Sequence, residues 1–528
     1  MLGILIRNGW VVDGAGGPRR RADVAIEGQR IAEVGPLEGA QATTVIDAGG
    51  CVVAPGFVDM HSHADFTLPV LPTADSLVQQ GITTAVIGQC GATAVPLLEE
   101  TRREVIANRQ SEEVRLPYER WTTFRSFLED LRRTGISVNV VPLVGQATVR
   151  EAVMGYTDAA PSAAQRTRMR ALVAQAMEEG AIGLSTGLIY PPGSYATTEE
   201  IIALAQPVGE RKGYYFSHIR GEADTLLEAV AEALRIGRET GAAVQISHLK
   251  AAGKANWHKA ARVLAILERA RAEGLDVNAD MYPYLAGSSG LVAMLPEWAQ
   301  VGGRDAILRR LADPAARARM SAAMGSEGFF TFATWDKVWI AGSPRQRRYE
   351  GRAVADLAGE AGVSAHAWVF DALLETELGI QMICEYATED NLALQLRHPL
   401  VMIGTDSAAH AGEGPLSKGL PHPRTYGTFP RVLARYVREQ GVISLEEAIH
   451  RMAGLPAEKL RWADRGLVRK GYKADLVIFD PATIADRATY AAPHQYPAGI
   501  RRVIVNGHVV VADGAHTGAR PGEVLARG

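Results

Sequence analysis

A chain of 528 residues, 47% hydrophobic with 54 glycines and 26 prolines, can bury a large core and has room for one big domain and a smaller companion. Its 56 Lys and Arg against 59 Asp and Glu leave a net charge of −3, which removes any electrostatic case for nucleic acid or an anionic membrane surface. No run approaches the roughly 20 apolar residues of a membrane span, the first residues lack a basic n-region, and three cysteines are too few for a disulfide framework; a cytoplasmic protein is expected.

In chain order, the first pattern is Ile4-Leu5-Ile6-Arg7-Asn8-Gly9-Trp10-Val11-Val12, two β-prone runs around Asn-Gly, and Val503-Ile504-Val505-Asn506-Gly507-His508-Val509-Val510-Val511 repeats it near the end. Asn-Gly between such runs is a hairpin signal. Residues 1–54 and 471–528 are therefore read as the two parts of one small β-sandwich, interrupted by a domain over 55–470. Inside, apolar runs at 52–58, 82–87, 138–144, 181–185, 214–217, 244–247, 276–281 and 400–405 alternate with helical patterns such as 222–239 and 257–273, which predicts parallel βα units. The gap before the eighth run is too long for one crossover, so a subdomain is expected near 290–350. A further run, Ile380-Gln381-Met382-Ile383-Cys384, competes for a place in the barrel.

Chemistry-bearing residues gather where these runs end. His61 and His63 follow the first, Cys90 the second, His218 the fifth, His248 the sixth and Asp406 the last. Reactive side chains at the C-terminal ends of parallel strands are the arrangement of a (β/α)8 barrel enzyme. In His61-Ser62-His63 alternate side chains of an extended segment face one way, so both imidazoles can meet one ion. Imidazole and thiolate suit zinc, and a catalytic site keeps a position open. Each residue alone is more often a buried structural group; their joint placement is what points to a metal-dependent hydrolase. Asp406 stands where a carboxylate can take a proton from a metal-activated water and return it to a leaving amine, its plain alternatives being a helix cap or a ligand.

Pro55-Gly56-Phe57-Val58-Asp59-Met60-His61-Ser62-His63, Gly88-Gln89-Cys90-Gly91, Ser217-His218-Ile219-Arg220, Ser247-His248-Leu249-Lys250, Tyr282-Pro283-Tyr284 and Pro421-His422-Pro423-Arg424 together resemble the D-aminoacylases, the N-acyl-D-amino-acid deacylases of the amidohydrolase superfamily. The resemblance covers nearly the whole chain. It implies a tightly held zinc on Cys90, His218 and His248, and a second, weaker metal on His61 and His63 with Cys90 shared. It further implies Asp406 as general base and acid, and Arg424, Lys250, Tyr190 and Tyr282 as contacts of the substrate carboxylate. The implied substrate is a small N-acyl-D-amino acid. Leu249, Ile219, Thr405 and Ser407 depart from common family residues without removing a ligand or the base. A ring-opening amidohydrolase of the hydantoinase or dihydropyrimidinase kind and a dipeptidase are the enzymatic alternatives; an inactive assembly subunit is the non-enzymatic one.

Overall fold

The computed structural model describes residues 2–109, 116–324 and 330–525. Eight parallel strands form its centre: β1 (Phe57–Asp59), β2 (Ile82–Ile87), β3 (Asn139–Pro142), β4 (Gly183–Gly187), β5 (Tyr214–His218), β6 (Ala243–Ile246), β7 (Val277–Met281) and β8 (Val401–Ile403). Consecutive strands pair from β1 to β3 and from β4 to β8. The short extension Val144–Gly145 joins β3 to β4. The Met60 amide donates to Ile403 at 3.3 Å and the Asp406 amide to His61 at 2.8 Å, which closes β8 onto β1. Every residue of these strands is buried. That is why they read as continuous apolar runs rather than alternating ones, since one face fills the barrel and the other meets helices.

The outer helices show the sequence logic of their class. Leu226–Thr240 buries Leu226, Ala229, Val230, Ala233, Leu234 and Gly237, one stripe at helical spacing, and stops where Gly241 turns left-handed. It begins four residues after the expected start, which leaves Glu222 in the loop above β5. Ser162 and Gln165 cap Ala163–Glu178 reciprocally.

Strands from both ends of the chain make a single nine-stranded sheet. Val52–Pro55 lies parallel to Leu2–Val11 on one side and antiparallel to Leu476–Phe479 on the other. Ile6, Val24, Ile31, Val53, Leu476, Ile478 and Ile504 share its core. Asn506-Gly507 is the hairpin turn that its sequence predicts, with Val505 opposite His508. Asn8-Gly9 is not. Leu2–Val11 runs on as one strand through a bulge, with Asn8 at φ 63°, because the Gly9 position abuts Val53, where a Cβ would come 2.6 Å from the Val53 side chain.

Between β7 and β8 stands a unit with its own core, including Leu291, Leu311, Met320, Trp368, Phe370 and Met382. Its antiparallel sheet joins Ala286–Gly290, Val338–Gly342 and Gln381–Glu385. The competing strand near 380–384 is therefore part of this unit and not of the barrel. Its pairing carries the unit beyond both edges of 290–350. No helix among the described residues is long and apolar enough to cross a membrane.

Candidate active site

The loops that leave the barrel strands bring the expected residues together. Cys90 Sγ lies 3.3 Å from His61 Nε2, 3.6 Å from His218 Nδ1 and 3.5 Å from His248 Nε2. Asp406 Oδ1 lies 3.2 Å from His63 Nε2 and 3.5 Å from His61 Nε2. Two overlapping donor sets result: Cys90 with His218 and His248, and Cys90 with His61, His63 and Asp406. A tetrahedral zinc with bonds of about 2.3 Å to sulfur and 2.0–2.1 Å to nitrogen holds those atoms about 3.5 Å apart. Donor type and spacing both fit such an ion.

Local backbone strain accompanies this convergence. Cys90 (φ 52°), His248 (φ 33°) and Asp406 (φ 49°) all sit in the left-handed region, which side chains other than glycine adopt at a cost of roughly 1–3 kcal/mol each. The close approach of neighbouring loops is one reason the surrounding structure can hold them there. At Gly187, after β4, a Cβ would come 2.1 Å from the Cys90 carbonyl oxygen, so only glycine lets the two loops touch.

A layer of buried carboxylates backs the imidazoles. Glu222 Oε1 lies 2.9 Å from Lys250 Nζ, 3.1 Å from His248 Nδ1 and 3.7 Å from His218 Nε2. Lys250 Nζ also stands 2.7 Å from His248 Nδ1. Asp280 accepts from the His248 amide at 2.7 Å and from Gln245 at 2.9 Å. The same carboxylate stands 3.3 Å from His61 Nδ1, within ion-pair distance but without the alignment of a hydrogen bond. Asp59 accepts from the Thr405 hydroxyl at 2.6 Å, the Thr405 amide at 2.8 Å and the His61 amide at 3.1 Å, which ties the β1 loop to the β8 loop. Sequence reasoning assigned none of these three acids a role. Glu222 stands four residues after His218 and Asp59 two before His61, so proximity to a ligand was the available signal.

Burial sets the electrostatics. It pushes the Cys90 thiol well up, with Asp406 adding to the effect and Lys250 opposing it. It pushes His218 and His248 well down, so both rings are neutral at pH 7, the form that binds a metal. Burial also works against charge on Asp406, but the Arg424 guanidinium, with the hydrogen bond from His63 adding, holds its carboxyl well below the usual range. Burial, with Asp280 adding, pushes Asp59 up to about 7 despite its three donors.

A cavity of about 590 Å³ opens above these groups. His63, Cys90, Tyr190, His218, His248, Lys250, Tyr282, Asp406 and Arg424 line it, whereas His61 lies fully buried behind them. Arg424 pairs with Asp406 Oδ2 at 2.8 Å and covers the Tyr282 ring at 4.6 Å. The Tyr190 hydroxyl accepts from Ser289 of the inserted unit at 3.2 Å. A second cavity, of about 500 Å³, adjoins at His63, Ser288, Asp406 and Arg424.

An eight-stranded barrel with imidazole, thiol and carboxylate converging at the C-terminal mouth defines a metal-dependent hydrolase. The model of the amidohydrolase family matches residues 44–511. The chain is 40% identical to an N-acyl-D-aspartate deacylase of Alcaligenes xylosoxydans xylosoxydans, over 99% of this chain and 95% of that one. A solved D-aminoacylase with a binuclear metal centre superposes with a TM-score of 0.84 at 36% identity, all of both chains being covered. The N-acyl-D-glutamate deacylase of Bordetella bronchiseptica, solved with zinc and a phosphonate mimic of the tetrahedral intermediate, gives 0.82 at 35% over the same full coverage. The chain belongs to the amidohydrolase family and, within it, to the D-aminoacylases; it is a metal-dependent amidohydrolase acting on linear amides.

Proposed function

We propose that this protein hydrolyses N-acyl-D-amino acids to a carboxylic acid and a free D-amino acid, with Asp406 as general base and then general acid. The observation that carries the reading is the position of Asp406 between the cysteine and histidine donors on one side and Arg424 on the other. Cys90, His218 and His248 would hold the tight zinc, and His61 and His63, with Cys90 shared, a weaker second metal. When bound, zinc supplies Lewis acidity toward the amide carbonyl and acidifies water. Asp406, kept ionised by Arg424, takes the proton of the attacking water, and the same carboxyl then delivers it to the departing nitrogen. Arg424 offers a planar fork to the substrate carboxylate, Lys250 adds a point charge, and Tyr190 and Tyr282 place phenols at the same wall.

The same reading takes 1–54 and 471–528 as the two parts of the β domain around a catalytic domain over 55–470, supported by the pairing of Val52–Pro55 with Leu476–Phe479. A reducing, cytoplasmic setting suits a site that depends on a free thiol, and Cys51, Cys90 and Cys384 are all free. The test is release of amino acid from matched N-acetyl-D- and N-acetyl-L-amino acids by zinc-loaded protein, resolved by chiral chromatography. Release confined to the D series is expected; release from the L series alone, or from neither, would reject the assignment.

A further inference from the structure

Of the run Pro421-His422-Pro423-Arg424, the proposed chemistry uses Arg424 alone. His422 is buried, and both of its ring nitrogens have a partner. Nδ1 lies 3.0 Å from the Arg424 amide nitrogen, and Nε2 lies 2.9 Å from the Ala286 carbonyl oxygen. An amide N–H can only donate and a carbonyl can only accept, so the ring is neutral and carries its proton on Nε2. Burial, with the Arg424 charge adding, pushes His422 well below the usual histidine range, in keeping with that form. The Tyr284 and Tyr490 rings stand edge-on to it at 5.1 and 5.2 Å between centroids, which holds its plane.

Both ends of this bridge reach the cavity. Arg424 opens the helix Arg424–Arg431, and Pro423 before it has no N–H and no side-chain cap. The Arg424 amide is therefore an early helix donor without a partner inside its own helix, and His422 Nδ1 supplies one. At the other end, Ala286 begins the strand Ala286–Gly290 of the inserted unit. Ser289 of that strand donates to the Tyr190 hydroxyl at 3.2 Å, and at Gly287 a Cβ would come 2.9 Å from the Tyr282 hydroxyl. We propose that His422 is a positioning residue, its single ring holding the Arg424 fork and the first strand of the inserted unit at a fixed separation across the substrate-carboxylate site. What Arg424 does there rests on the deacylase reading above; the bridge does not.

Two amide side chains split the bridge. Asparagine places an acceptor where Nδ1 stands and nothing at Nε2, whereas glutamine places a donor where Nε2 stands and no acceptor at Nδ1. The experiment compares zinc-loaded wild type, His422→Asn and His422→Gln in kcat and KM on the N-acetyl-D-amino acid hydrolysed fastest, and in hydrogen exchange at the Arg424 amide and over 286–290. His422→Gln is expected to raise KM about fivefold, the worth of one hydrogen bond, with a smaller change in kcat. It should speed exchange at the Arg424 amide by a similar factor and leave 286–290 protected. His422→Asn is expected to return KM to within about twofold of wild type and to speed exchange over 286–290 instead. Equal effects of the two variants on KM, or faster exchange in both segments alike, would reduce His422 to a packing residue and overturn the proposal. A wild type that releases no D-amino acid would overturn the deacylase reading, while the exchange pattern, which needs no substrate, still decides the bridge.

Discussion

The two donor sets around Cys90 differ in how they are held. His218 and His248 are buried, and behind them Glu222 meets both rings. His63, on the other side, has a side chain 26% exposed and hydrogen-bonds Asp406 at 3.2 Å. Metal-binding histidines depend on the partner of their second nitrogen for tautomer and aim. On the proposed assignment of ligands, the difference places the tighter metal on the His218 side and the more readily exchanged one on the His63 side.

The largest expected effect comes from removing the donor common to both sets. Cys90→Ala should lose tightly bound zinc and bring activity to background, measured by metal analysis after dialysis and by turnover; full zinc content with normal activity would dissolve the comparison. Asp406→Asn comes next. It should cut kcat by about 10²–10⁴-fold while the Cys90 and His218 side keeps its zinc, so that near-native turnover of a zinc-loaded variant would remove Asp406 from the chemistry. Glu222→Gln sharpens the contrast further. It keeps the shape and removes the charge that Lys250, His248 and His218 share, so zinc affinity in chelator competition should fall about 10- to 100-fold. An unaltered affinity would show that the buried carboxylate does not orient the ligands. Smallest of all, His63→Ala removes one half-buried hydrogen bond, worth about 1 kcal/mol or roughly fivefold in rate, and should leave the tight zinc in place.

Much of this was legible in the sequence because parallel strands buried on both faces are short apolar runs, and a chemistry-bearing residue just past the end of a run is at the mouth. His218, which ends β5, and His248, two residues past β6, could be read that way. Glu222 was not, because its place four residues after His218 was its only signal, and one glutamate among 59 acidic residues is not singled out until the loop above β5 turns it toward the two rings. Asn8-Gly9 misled for a related reason. The dipeptide permits a left-handed turn, but whether the chain reverses there depends on Val53, which arrives from a strand more than 40 residues later. The inserted unit's share of the cavity wall was the least visible part, since Phe332 comes from a unit whose approach to the mouth is fixed by tertiary packing rather than by local periodicity.

The left-handed backbone at Cys90, His248 and Asp406 carries a cost in durability at those three positions. Glycine would relieve the strain at each, but at Asp406 it would also leave the buried Arg424 guanidinium without its carboxylate, a larger cost. Under selection for heat resistance alone, strain would count against Cys90 and His248, whereas the ion pair with Arg424 would retain Asp406. Keeping Cys90 and His248 under such selection requires that turnover be assayed in every round.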